Sequence, residues 1–240
     1  MHLRYGDSLA RRGFVVLALD VGHRSESSLY DGKLAGYGIP GEHPQRGIIY
    51  PGENRSTGVF DWEEDGERAW DVSRAIDYLL HLPQVDPHQL VVTGLGMGAE
   101  VATTAAAFDS RIRMVVPAGW CPDLASDLSF KHLGNPDGSR SWRWQNAFVE
   151  DYIDVNTWHS LIAPRPLIIE TGKQDMEHSL RPIAPFASAK QVMRRTRAAY
   201  GADAAANLVH YLHEEGHAWQ TGVDSGLVKV PVVIGPRKPG

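Results

Sequence analysis

Runs of apolar and β-branched residues recur along the chain, separated by stretches with helical spacing. Phe14–Asp20 (FVVLALD), Leu90–Thr93 (LVVT), Ile112–Pro117, Leu167–Thr171 (LIIET) and Asn207–Leu212 each read as a buried strand. Gly6–Arg12 reads as a short helix. A longer one opens at Asp61, with Glu64 three residues on as an Asp version of the capping box. Ala69, Val72, Ile76, Leu79 and Leu80 then follow the helical period, and Pro83 marks its end. An Ala/Thr-rich helix runs to about Phe108, and Phe186–Tyr200 is a helix with basic residues on its outer face. Strands alternating with crossover helices predict an α/β fold, a mostly parallel sheet of about five strands with helices on both faces.

Three stretches do not fit this alternation. Val21 to Phe60 carries eight glycines and three prolines, too irregular for regular structure and long enough to be functional or an insertion. Residues 119–158 hold Trp120, Trp142, Trp144 and Trp158 among polar residues and read as a lid. Residues 220–240, with the run LVKVPVVIG, form an atypical tail after a core spanning 1–219.

Composition narrows the class. At 240 residues, 42% hydrophobic and 22% charged, the chain can bury one sizeable core. Lys+Arg 24 against Asp+Glu 29 leaves no basic field, so neither nucleic acid nor a membrane surface is expected as a partner. Cys121, the single cysteine, excludes an internal disulfide or a cysteine-cluster metal site and reads as a buried small residue. Phe14–Leu19 is too short to span a membrane or to form a signal-peptide core, which gives the expectation of a cytoplasmic protein.

The strongest chemical signal is Thr93-Gly94-Leu95-Gly96-Met97-Gly98, a strand–turn–helix junction. Small residues at 94 and 98 let strand and helix approach around a sharp turn. In the nucleophile elbow, G-x-S-x-G, such a turn lifts a serine above the sheet and the next N–H helps to form an oxyanion hole. Here the middle residue, Gly96, tolerates the backbone but has no attacking oxygen. A plain glycine-rich turn is the simpler alternative, and the spacing fits neither dinucleotide nor phosphate loops. Asp175 follows the strand LIIET, and His217 follows the last strand in E-E-G-H-A-W. Elbow, Asp, His is the chain order of a hydrolase triad, with the carboxylate orienting an imidazole base. Either residue alone reads more simply as a loop residue; their joint placement after successive strands is the signal. His213-Glu214-Glu215-Gly216-His217 also matches H-E-x-x-H, the helical zinc motif. Against zinc, the run follows a strand directly, contains Gly216, and has Asp224 as the one acidic residue after it. His23, Trp142 and Trp144 are weaker candidates to line a cleft, each explained as readily by packing or a loop hydrogen bond.

With these residues in view, the chain resembles the α/β-hydrolase superfamily, and within it the bacterial acetyl xylan esterase-like and dienelactone hydrolase-like branch. The matching stretches are LARRGFVVLALDVGHR, DWEEDGERAWDVSRAIDYLLHLPQVDP, VVTGLGMGAEVATTAAAFDSRIRMVVPAGW, LIAPRPLIIETGKQD and VHYLHEEGHAW, in order over most of residues 7–219. The resemblance implies a carboxylic ester hydrolase without cofactor, acting on a small-molecule or carbohydrate ester. It implies Asp175 as triad acid, His217 as base, the Met97 N–H as an oxyanion donor, and Gly96 in the place of the serine. It also implies that this chain lacks the family's N-terminal strands and the loop bearing the second oxyanion donor. The expectation is therefore an inactive or impaired esterase. A pseudoenzyme that keeps its cleft for a ligand is the alternative, and a zinc hydrolase through His213 and His217 a second one. With a central strand lacking, Phe14–Asp20 should either pair directly with Leu90–Thr93 or lie exposed.

Overall fold

Four strands, all parallel and adjacent in chain order, make the sheet of the computed structural model: β1 (Val91–Leu95), β2 (Met114–Ala118), β3 (Leu167–Gly172) and β4 (Leu208–His213). The structure describes residues 5–19, 64–121, 154–175 and 185–220. Helices α1 (Tyr5–Arg11), α2 (Glu64–Leu80), α3 (Met97–Phe108), α4 (Val155–Ile162) and α5 (Pro185–Tyr200) complete the described elements with a short turn of 3-10 helix at Ala205–Asn207. Among the described residues, no helix is long and apolar enough to cross a membrane.

The strands read as continuous apolar runs because β2 and β3 are buried along their whole length. Side chains alternate between two faces. Val115, Leu167, Ile169 and Leu208 join Val72 and Ile76 of α2, Ala102 and Ala105 of α3, Val155 of α4 and Val192 of α5 in the main core. Met114, Val116 and Ile168 face the other way and form a smaller cluster with Val91, Val209 and Tyr211. The strand register sets Leu95 beside Ala118, Ala118 beside Glu170 and Glu170 beside Tyr211, so the carboxyl ends of the strands line up along one rim.

Arg165 ties the helix ends to this sheet. Its guanidinium donates to the carbonyls of Ala106 (2.6 Å), Asp109 (3.1 Å), Ile112 (2.8 Å), Leu161 (3.2 Å) and Ile162 (3.0 Å). The last carbonyls of α3 and α4 have no intrahelical partner, and one cation at both C-termini satisfies them with the favourable sign for the helix dipoles.

Two expectations need correction. Phe14–Leu19 is extended but joins no ladder of the sheet, and Val16, Leu17 and Leu19 are exposed. An apolar run becomes a strand only where a neighbour takes its backbone hydrogen bonds, so the buried first strand is replaced by the exposed alternative and the described sheet has four strands. The ends of the expected lid also belong to the core. Trp120 and Cys121 are buried, and Val155, His159 and Ile162 turn one face of α4 inward. Residues 122–153, the rest of that segment, lie outside the described residues, as do Asp61 and the tail from 221 onward.

His159 is fully buried, with the Thr196 hydroxyl 3.4 Å from Nδ1. Burial, which penalises the charged ring, holds its pKa down to about 3 against the ordinary 6.5. Between pH 7 and 5 the unfolded chain therefore gains a proton here that the folded chain does not, and stability falls as pH falls. The contribution of this one histidine is a loss of about 2 kcal/mol over that interval. Denaturant melts at the two pH values should show His159→Leu losing about 2 kcal/mol less than the parent. Equal losses in the two proteins would contradict a neutral buried ring.

Candidate functional site

β1 passes into α3 through one residue. Gly96 has φ 58° and ψ −119°, a backbone that a side chain makes costly. Its N–H donates to the Ala118 carbonyl at 2.9 Å, continuing the β1–β2 ladder, and its carbonyl accepts from Ala99 at 2.9 Å and Glu100 at 3.2 Å to start the helix. The turn is this tight because Gly94 lacks a side chain: a Cβ there would sit 2.2 Å from the Gly98 carbonyl. The N–H groups of Met97 and Gly98 have no acceptor within their own helix and lie at its positive end.

Two strands further along the same rim, the β3–β4 ladder continues past the ends of the strands. Lys173 N–H donates to the His213 carbonyl (2.8 Å) and Gln174 N–H to that of Glu215 (3.1 Å). The turn holding Asp175 is thereby tied to the loop holding His217. Gly172 permits the contact, since a Cβ on it would lie 2.2 Å from the Gly216 carbonyl oxygen. Asp175 N–H returns to the Gly172 carbonyl at 3.2 Å, and the Asp175 carboxylate meets His217 Nδ1 at 2.9 Å. The side chains are 2% and 16% exposed respectively, so a nearly dry acid holds a ring that still reaches solvent.

The imidazole lies across the sheet toward the glycine turn. A Cβ on Gly119, which has φ 62°, would be 2.8 Å from His217 Cε1, 2.9 Å from Nδ1 and 3.1 Å from Leu95 Cδ1. Gly119 follows Ala118, the residue that accepts from Gly96 N–H, so the ring rests at the joint ends of β1 and β2. Beyond His217 the chain is fastened back. Trp219 Nε1–H donates to Thr93 Oγ1 (2.9 Å), whose hydroxyl donates to the Val116 carbonyl (2.7 Å), and Gln220 N–H donates to the Glu170 carboxylate.

Gly96, Asp175 and His217 are thus brought to one rim, with the Met97 N–H at the start of α3 beside them. His23, Trp142 and Trp144 lie outside the described residues. His213 points elsewhere. It is the last residue of β4, buried, with Nε2 3.6 Å from Glu170, and burial lowers its pKa. Residues 214–217 are a bend rather than a helix, and His217 bonds Asp175 while His213 ends β4 near Glu170, so the two imidazoles lack the helical spacing of the zinc motif. Gly119, Glu170 and Trp219 were not singled out from the sequence. The charged Glu170 inside the apolar run LIIET was the available signal, because a buried carboxylate must have partners.

The arrangement can do acid–base work. With Asp175 ionised and accepting a proton from Nδ1, Nε2 of the ring would be the proton acceptor.

No family model matches the chain. A Bacillus subtilis protein, YtaP, provisionally named a hydrolase, is 25% identical over 170 residues, 70% of this chain and 52% of its own. A Bacteroides fragilis structure, provisionally named an acetyl xylan esterase, aligns with a TM-score of 0.60 at 16% identity over 87% of this chain and 49% of its own. The glucuronoyl esterase catalytic domain of Hypocrea jecorina aligns with a TM-score of 0.52 at 23% identity, over 68% and 49%. A family 15 glucuronoyl esterase from Caldicellulosiruptor kristjansonii gives 0.53 at 20% identity, over 74% and 51%. The chain spans about half the length of each of these relatives. The parallel sheet in chain order, the glycine turn into α3 and the likeness to these esterases agree: the chain has the α/β-hydrolase fold.

Proposed function

We propose that the chain is a carboxylic ester hydrolase by descent, with an acid–base pair of Asp175 and His217 and with Gly96 in the nucleophile's place. The observation that carries this reading is the 2.9 Å Asp175–His217 hydrogen bond at the rim where Gly96 makes its φ 58° turn. A serine hydroxyl at 96 would give its proton to His217 Nε2 and attack the ester carbonyl. The Met97 N–H would stabilise the oxyanion, and the imidazolium would protonate the departing alcohol. Water would then release the acid by the same base. With glycine at 96 the first bond cannot form, so the chain as it stands has little or no esterase activity. The substrate class is a small or carbohydrate ester, in keeping with the glucuronoyl and acetyl xylan esterases it resembles. Gly96 itself favours a second reading, a pseudoenzyme that binds such a ligand without cleaving it.

Gly96→Ser tests this directly. The turn strains a serine by about 1–3 kcal/mol, so the variant should fold with a lower melting midpoint. Turnover of p-nitrophenyl acetate should rise by on the order of 10³-fold or more over the parent. A folded Gly96→Ser no faster than the parent would leave the pseudoenzyme reading in place of the esterase. Parent turnover of about 1 s⁻¹ would contradict the assignment of Gly96 as the nucleophile's position.

A further inference from the structure

Glu170 is a carboxylate inside a parallel strand, with no exposure to solvent. By strand alternation with Ile168 it faces the side of the sheet away from the main core. Burying an ionised carboxylate is unfavourable unless charge or hydrogen bonds compensate. A leucine would serve packing equally well in β3, so the groups around Glu170 indicate what the carboxylate is for. Its side chain accepts the Gln220 N–H, three residues past His217. Its backbone carbonyl accepts the Gly119 N–H at 3.0 Å, and Gly119 is the residue against which the His217 ring rests. His213, at the start of the same loop, has Nε2 3.6 Å from the carboxylate.

We propose that Glu170 is a positioning residue for the His217 imidazole, closing the 214–220 loop through its carboxylate while its carbonyl holds Gly119 under the ring. The loop leaves β4 at His213, whose Nε2 lies 3.6 Å from the carboxylate, and returns over the sheet to Gln220, whose N–H is the bond the carboxylate accepts. The Trp219–Thr93 bond fixes the same return toward β1. With both fastenings in place the loop cannot swing outward, and His217 stays within reach of Asp175 and the rim at Gly96. Without the Glu170 bond the Gln220 N–H loses that acceptor, and one of the two fastenings of the loop's return is gone. The inference rests on the esterase reading for its catalytic meaning, but the ring's placement is measurable without any activity.

The test uses Glu170→Gln, which keeps an acceptor for Gln220 N–H, and Glu170→Leu, which removes it, each in the parent chain and with Gly96→Ser. In the parent chain, 15N NMR of His217 should show a proton fixed on Nδ1. Glu170→Gln should preserve that signature, and Glu170→Leu should replace it by an averaged ring. With Gly96→Ser, Glu170→Leu should lower kcat on p-nitrophenyl acetate by on the order of 10²-fold with little change in KM, as a misplaced base does. Glu170→Gln should stay within about threefold, a difference small against that loss. Should Glu170→Leu not fold, Gln220→Pro deletes the same hydrogen bond from the donor side and should give the same averaged ring. A folded Glu170→Leu or Gln220→Pro with unchanged His217 nitrogen signals overturns the proposal. An inactive Gly96→Ser whose parent-chain ring signals respond as expected overturns only the esterase reading.

Discussion

The parallel ladder between β3 and β4 runs on past both strands, through Lys173 N–H to the His213 carbonyl and Gln174 N–H to the Glu215 carbonyl. Everything at the rim depends on that extension. A parallel pair keeps its neighbours in step, so two loops leaving the sheet at the same level stay side by side only while backbone bonds continue. Here they continue just far enough to set Asp175 against His217. The acid and base are 42 residues apart in the chain and are joined by one hydrogen bond of 2.9 Å. Those two backbone bonds spare that single bond from having to organise two free loops.

Close approach has a steric condition, and glycine meets it at three points. Gly94 lets β1 touch the start of α3, Gly172 lets the acid's turn touch the base's loop, and Gly119 leaves room for the imidazole ring. A Cβ at any of the three would fall within 3 Å of an atom that holds the site together. Gly96 differs from these. Its constraint is conformational: a backbone of φ 58° and ψ −119° that glycine adopts without penalty and a side chain makes costly.

Much of this was legible in the sequence because fully buried parallel strands are written as unbroken apolar runs. LVVT, LIIET and Ile112–Pro117 fall within two residues of the ends of β1, β3 and β2. Asp175 and His217 were legible through their positions after strands, since the carboxyl ends of a parallel sheet share one rim. Phe14–Leu19 has the same apolar pattern and joins no ladder among the described residues, because a run of valines and leucines states a preference for burial without supplying a partner strand. α4 begins inside the expected lid and runs past its end at 158, so that boundary cuts across the inward spacing of Val155, His159 and Ile162. Glu170 and Trp219 escaped notice because their partners, Gln220 N–H and Thr93, are set by long-range register that no local window contains.

The central claim is that the His217–Asp175 pair stands over residue 96. Intact-mass and peptide analysis of Gly96→Ser after exposure to diisopropyl fluorophosphate tests it most directly, since that reagent phosphorylates a serine only where a base takes its proton. The account predicts one phosphoryl adduct per chain, at Ser in position 96, and its loss when His217 is replaced by alanine. A folded Gly96→Ser that stays unlabelled, or is labelled equally without His217, would contradict it.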